Sequence, residues 1–246
     1  MKRYSMWLAL MVLIAASLAC AVPFVGIRTI KGSGNVVTEE RDVSGFDSVA
    51  LTAFGEVIIT QGDKESLTVE TDDNLMQYIE TQVRGGTLEL GFTDDDILLR
   101  PSKSIIFRLS VIELTALDSS GAGRFEMDEL DADRLKITLS GAGDIRMDSL
   151  TASDLVITVS GAGNIELAGQ VETQEINLNG LGNYNASDLE SQAATVRISG
   201  AGSASIWALD TLDVTISGAG NVDYYGSPEV SKNISGVGKV TSQGDR

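Results

Sequence analysis

"SGAGDIRMDSLTASDLVITVSGAGNIEL", residues 140–167, writes one short phrase twice, at Ser140 and again at Ser160. Followed outward, the phrase recurs as "SGAG" at 120, 140, 160, 199 and 217, as "NGLG" at 179 and as "SGVG" at 235. The first glycines are Gly121, Gly141, Gly161, Gly180, Gly200, Gly218 and Gly236, at steps of 20, 20, 19, 20, 18 and 18 residues. The second glycines are Gly123, Gly143, Gly163, Gly182, Gly202, Gly220 and Gly238. A degenerate earlier copy, "TAFGEVII" at 52–59, has Ala53 and Phe54 in place of the first glycine and the alanine.

Strict alternation flanks each copy. Leu135, Ile137 and Leu139 precede one corner and Leu155, Ile157 and Val159 the next, with Lys136, Thr138 and Thr158 between them; Ile145 and Met147 follow, separated by Arg146. A period of two buries one set of side chains and wets the other, so each unit reads as strand, Gly corner, strand, polar corner. A unit of about 20 residues cannot cover its own apolar face, whereas stacked units cover one another. The expected fold is all-β, a single-domain parallel β-solenoid with coils of about 18–20 residues and Ser-Gly-Ala-Gly corners. Counting the irregular N-terminal part, roughly ten coils at about 4.8 Å each would make a rod about 50 Å long.

In this reading the fourteen glycines are structural corners, used for turn geometry and close approach between coils. The small apolar column between them, Ala122, Ala142, Ala162, Leu181, Ala201, Ala219 and Val237, is expected to point inward. The polar column Ser120, Ser140, Ser160, Asn179, Ser199, Ser217 and Ser235 is expected to hydrogen-bond along the stack outside, with Asp144, Asn164, Asn183 and Asn221 acting likewise. The only stretch with a helical look after residue 30 is "DNLMQYIET" at 73–81. Residues 30–112 are read as the start of the same solenoid with longer corners.

The first residues have the basic n-region and apolar h-region of an export signal. "ASLAC" ends on Cys20, the only cysteine, in a lipobox-like context that makes Cys20 the expected lipidation site. Cleavage after a small-x-small site and an uncleaved membrane anchor over 6–27 remain open beside it. The expected division is a signal peptide at 1–20, a linker at 21–33, the solenoid domain at 34–240 and a frayed tail at 241–246. The protein is expected in the cell envelope, lipid-anchored on the outer side of the membrane.

Composition narrows the chemistry. The formal charge is −17, and about −19 without Lys2 and Arg3 of the leader, which disfavours nucleic acid as a partner. There is no histidine, so Ser-His and Cys-His nucleophile pairs and His-ligated zinc are excluded. No disulfide can form within the fold, and no cofactor or metal site is expected.

With these residues in view, the chain resembles the head GIN domain family of putative auto-transporter adhesins, bacterial envelope proteins, over about 34–238. The resemblance is carried by "GSGNVVTEERDVSGFDSVAL", by "GEVIITQGDKESLTVETDDNLMQYIETQVRGGTLELGF" and by the serial "SGAGD" and "SGAGN" copies. It implies a parallel β-helical fold and a cell-surface or periplasmic setting, and it brings no catalytic residues. "TAFGEV" departs from the Gly-containing corner usual in the family, so the shape of the first coil stays open.

Three functional sites were weighed on the residues. A calcium loop at "GAGDIRMD" would need a repeated carboxylate, yet only Asp144 follows the second glycine as one; Arg124, Asn164, Asn183, Ser203, Asn221 and Lys239 stand elsewhere. Asp94, Asp95 and Asp96, with Asp72 and Asp73, form the densest acidic cluster and read as a solvated loop rather than a cation or acid–base site. An aromatic platform would rest on Trp207 and Tyr225, which could be exposed, and is a weak one, since Tyr224 continues the inward alternation and reads as core. The expected function is therefore a non-enzymatic adhesion or interaction module that displays a rigid acidic surface to an unknown ligand, protein or glycan, with the membrane held through the N-terminus and the oligomeric state undetermined. The alternatives are an envelope scaffold or stress-signalling accessory binding other proteins, and a carbohydrate-active β-helix enzyme.

Overall fold

The computed structural model describes residues 28–94 and 96–246; the leader with Cys20, and Asp95, lie outside the described residues. Ten short strands come first: β1 (Arg28–Lys31), β2 (Val36–Arg41), β3 (Ser48–Leu51), β4 (Phe54–Gln61), β5 (Ser66–Asp72), β6 (Ile79–Arg84), β7 (Thr87–Phe92), β8 (Ile97–Arg100), β9 (Ile106–Val111) and β10 (Ala116–Ser119). The repeats then form the long strands β11 (Ala122–Leu139), β12 (Ala142–Val159), β13 (Ala162–Leu178), β14 (Leu181–Ile198) and β15 (Ala201–Ile216). The stack ends with β16 (Ala219–Tyr225), β17 (Glu229–Ile234) and β18 (Val237–Ser242).

From β10 onward every pairing is parallel, and equivalent residues of successive repeats lie side by side: Ala142 on Ala162 on Leu181, Ile145 on Ile165 on Tyr184. The fold is a parallel β-solenoid in a single domain, but of about six turns rather than ten. The shortfall comes from the N-terminal third. There β4 stacks on the first part of β11, Phe54 beside Ala122, and β10 on its last part, Ala116 beside Lys136. Between these two pieces of one coil the chain makes an excursion of five strands, β5 to β9. β5 pairs antiparallel with β2 and with β9, and β6 antiparallel with β7. The parallel stack continues one layer further, β7 beside β3 and β9 beside β4, and the antiparallel strands β2, β5 and β6 then give the region a mixed sheet in place of further coils with longer corners. The helical look of 73–81 resolves into a single 3-10 turn, Met76–Tyr78, followed by strand.

Alternation sets the core. In β12, Ile145, Met147, Leu150, Ala152, Leu155, Ile157 and Val159 are buried, and β11 presents Phe125, Met127, Leu130, Ala132, Leu135, Ile137 and Leu139 in the same register. Each fully buried Leu or Ile is stabilised by about 1.5–3 kcal/mol relative to exposure. A coil alone would leave these side chains open on both stacked edges, so the contribution exists only in the stack.

One polar chain crosses this core. Tyr184 occupies the column of Ile145 and Ile165, and Gln174 that of Leu135 and Leu155. The Tyr184 hydroxyl donates to Gln174 Oε1 at 2.9 Å, Gln174 Nε2 donates to Ser191 Oγ at 2.8 Å, and Ser191 Oγ donates to the Trp207 carbonyl at 2.8 Å. Every step is satisfied, which makes a buried phenol and amide tolerable. Burial pushes the Tyr184 phenol well above its ordinary pKa, so it stays neutral.

The last residues, expected to fray, continue the coil. Gln243 N–H donates to the Tyr224 carbonyl at 2.8 Å and Gly226 N–H to the Gly244 carbonyl at 3.0 Å. Ser227 Oγ donates to Asp245 at 2.7 Å, and the Arg246 guanidinium bonds Asp188 while lying 5.0 Å over Tyr225 and 5.9 Å over Trp207.

Candidate functional site

The repeated corner is built on backbone contacts between coils. Its backbone is held by the coil below: the N–H groups of Ser140 and Gly141 both donate to the Ser119 carbonyl, at 2.8 and 3.0 Å, and Ser160 and Gly161 repeat this on Leu139 at 2.9 and 3.1 Å. Two donors on one carbonyl draw the coils together at the corner. A Cβ on Gly141 would lie 1.9 Å from the Gly121 carbonyl oxygen, one on Gly161 1.9 Å from that of Gly141, and one on Gly218 2.1 Å from that of Gly200. At the second glycine the clash is with the preceding glycine's carbonyl and with the core: a Cβ on Gly163 would meet Gly143 O at 1.8 Å and Leu139 Cδ2 at 2.9 Å. Close approach, rather than left-handed backbone, is what excludes a side chain.

The alanine column faces the other way from expectation. Ala122, Ala142, Ala162, Ala201 and Ala219 are exposed, Leu181 is 65% exposed and Val237 78% exposed. The physical reason is parity. Ile145 points inward, so Asp144 points out, Gly143 in and Ala142 out; counting back two from each buried residue would have found it. The inward position is the second glycine, whose missing side chain leaves room for the tip of Leu139 or Val159.

Outside the corner the polar columns form ladders. Asn183 Nδ2 donates to Asn164 Oδ1 at 3.1 Å, Asn164 Nδ2 to Asp144 Oδ1 at 3.0 Å, and Ser199 Oγ to Asn179 Oδ1 at 2.7 Å. Arg124 reaches Glu126 at 3.3 Å and Asp144 at 3.7 Å, and Arg146 reaches Asp148 at 2.8 Å. The Asp148 carboxylate raises the Arg146 pKa. These groups largely satisfy one another, as expected of a repeated wall.

The first coil departs from the columns at two outward positions. Phe54 stands in the alanine column, beside Ala122, and Glu56 heads the column of Arg124 and Asp144. Phe54 packs edge-on against Phe92, with ring centroids 5.0 Å apart. Beside it opens a hollow of about 650 Å³, lined by Phe54, Glu56 and Arg124 from the stack and by Ser102, Lys103 and Ser104 from the segment before β9.

That segment is fixed from behind. Asp72, at the end of β5, is buried. Its carboxylate accepts the Ser102 hydroxyl, the Ser102 N–H and the Gly34 N–H, each at 2.7 Å. Burial opposes its ionisation, but the hydrogen bonds from Ser102 and Gly34 outweigh it and hold its pKa below the ordinary value. At the other end of the segment Glu56 N–H donates to the Ile105 carbonyl at 2.9 Å. Neighbouring Asp73 takes Ser33 Oγ at 2.5 Å and Asn35 Nδ2 at 2.9 Å, and these bonds lower its pKa.

The sequence missed this site because it treated Asp72 and Asp73 as members of an acidic cluster. Asp94 instead closes a turn, accepting the Asp96 N–H at 2.9 Å, and no group of three or more acids is placed to hold a metal among the described residues. Trp207 and Tyr225 are half-buried under Arg246, and Tyr224 packs against the core. Cys20 lies outside the described residues.

The architecture is that of a Gly-cornered parallel β-solenoid with a mixed sheet at its N-terminal end. The chain belongs to the family described as "Putative auto-transporter adhesin, head GIN domain", which matches residues 45–228. Among solved structures it is similar to an adhesin-type protein of Bacteroides fragilis, with 25% identity and a TM-score of 0.81, covering 87% of this chain and 99% of that one. It is also similar to a protein of Parabacteroides distasonis described as "Putative lipid binding protein", with 26% identity, a TM-score of 0.65 and the same two coverages, 87% and 99%. A Parabacteroides merdae adhesin-type protein, 21% identical with a TM-score of 0.67 over 87% of this chain and 99% of that one, shares the fold. A search of curated proteins returned no match.

Proposed function

We propose that the chain is a non-enzymatic interaction module displayed from the cell envelope, tethered by a lipid on Cys20 and acting as an adhesin. The observation that carries this reading is the combination of a repeat wall whose polar groups bond one another with a hollow of fixed wall at its first coil. A stack whose coils are locked by backbone contacts is suited to hold a surface rigidly away from the membrane. Membership of the adhesin family supports a surface or envelope setting.

The test is adherence of cells displaying the full chain to glycan-coated and protein-coated surfaces, with Cys20→Ser beside the wild type and acyl-chain labelling of both. The expected result is adherence of the wild type, with acyl label and surface display lost in Cys20→Ser. Adherence equal to that of cells lacking the chain would contradict the adhesin reading, and equal label in the two forms would contradict the lipid tether.

A further inference from the structure

A repeated feature serves every coil, whereas a binding site is needed once, so the informative residues are those that break the columns. Tyr184 and Gln174 break theirs to form a buried polar chain, whereas those of the first coil meet at the hollow beside Phe54. Phe54 replaces the alanine of every regular "SGAG" corner, Glu56 stands in the column that Arg124 and Asp144 continue, and the segment bearing Ser102, Lys103 and Ser104 has no counterpart in later coils. The hollow, about 650 Å³, lies within the roughly 300–1,000 Å³ range typical of small-molecule sites.

Its wall is set before any ligand arrives. Asp72 anchors Ser102 from behind by two hydrogen bonds, and Glu56 N–H anchors Ile105. A Cβ on Gly55 would come within 2.8 Å of the Ile105 carbonyl, so the glycine lets this wall sit directly against the stack. Preorganisation of this kind lowers the ordering cost of binding.

The lining chemistry names a class of ligand. Phe54, partly exposed where it lines the hollow, offers an apolar ring surface to the C–H side of a sugar. Ser104 and Glu56 offer a hydroxyl and a carboxylate to sugar hydroxyls, while the Ser102 hydroxyl, which donates to Asp72, can only accept. Arg124 is engaged by Glu126 and Asp144, while Lys103 makes no ion pair among the described residues. One cation without an ion pair among the described residues, in a partly apolar site on a chain of net charge −17, is matched by one carboxylate, not by a polyanion, which the rest of the surface would repel.

We propose that this hollow binds a single carboxylate-bearing sugar, the acidic terminal residue of a surface glycan, with Lys103 on the carboxylate and Phe54 under the ring. The proposal rests on the reading of the chain as an interaction module and specifies its ligand.

The test is a methyl-NMR titration of the full chain in mild detergent, using methyl glucuronide and the neutral methyl glucoside as probes. The Ile105 and Ala122 methyls, at the hollow, should move with glucuronide at roughly millimolar affinity, and at least tenfold more weakly with glucoside. Lys103→Gln should reduce glucuronide binding to the glucoside level, and Phe54→Ala should remove both. An unshifted Ile157 methyl, deep in the core, reports that each variant is folded. No movement of Ile105 and Ala122 with either sugar, equal affinity for the two, or unchanged affinity in Lys103→Gln would overturn the proposal. Cell adherence reads the broader proposal separately, since adherence that survives loss of sugar binding overturns only the assignment of the hollow.

Discussion

The run from β11 to β18 and the N-terminal third solve the same problem in opposite ways. In the repeat, one solution is copied: the same glycines meet the same carbonyls, and outward groups pair with their own equivalents one coil away. In the N-terminal third, solutions are used once. Asp72 holds two separate segments, Phe54 meets Phe92, and strands run antiparallel as well as parallel. The difference teaches that copied residues report on the scaffold, while unique residues report on what the scaffold carries.

The largest effect should come from breaking a copied contact. Gly161→Val must push a side chain into the Gly141 carbonyl, 1.9 Å from where its Cβ would fall, in a stack that cannot yield on one side only. A loss above about 4 kcal/mol, or failure to fold, is expected by urea unfolding. Stability near that of the wild type would mean that the corner is looser than the hydrogen bonds to Leu139 imply.

Asp72→Ala should come next, at roughly 2–4 kcal/mol, because the Ser102 and Gly34 donors lose a buried acceptor. The damage should be local. Hydrogen exchange should speed up at Gly34 and Ser102 while the Ile157 amide in β12 keeps its protection. The same carboxylate gives a pH signature. Its folded pKa lies below the ordinary 3.8, so its contribution is complete above that value and is lost as pH falls through the folded pKa. Urea midpoints measured from pH 6 downward should therefore drop less steeply in Asp72→Asn than in the wild type. Parallel curves would remove Asp72 from the account.

A unique residue inside the repeat should behave like one in the N-terminal third. Tyr184→Phe leaves Gln174 Oε1 without its donor and should cost about 1–2 kcal/mol, which Phe packing alone would not explain. The smallest effect should follow from an outward copied residue. Ala162→Ser points into solvent and should change stability by less than about 0.5 kcal/mol; a larger loss would return the alanine column to the core.

What was legible in the sequence divides along the same line. Periodicity announces itself by repetition, so the coils and the buried columns of Ile145, Leu155 and Ile157 could be read directly. The direction of Ala142 could also have been read, because counting two residues back from Ile145 places Gly143 inside and Ala142 outside. Asp72 could not: its three donors are 30 and 38 residues away, and nothing local distinguishes it from Asp73. Nor could Lys103, which faces the stack only because the chain departs after β4 and returns through β9.

The central claim, that the wall is scaffold and the break in it is the site, is tested most directly by measuring adherence to glycan-coated surfaces with two matched double variants. Phe54→Ala with Lys103→Gln alters the hollow; Asn164→Ala with Asn183→Ala alters the ladder of the regular coils. The expected result is at least a tenfold loss in the first and wild-type adherence in the second. Loss in the ladder variant with adherence intact in the hollow variant would contradict the account.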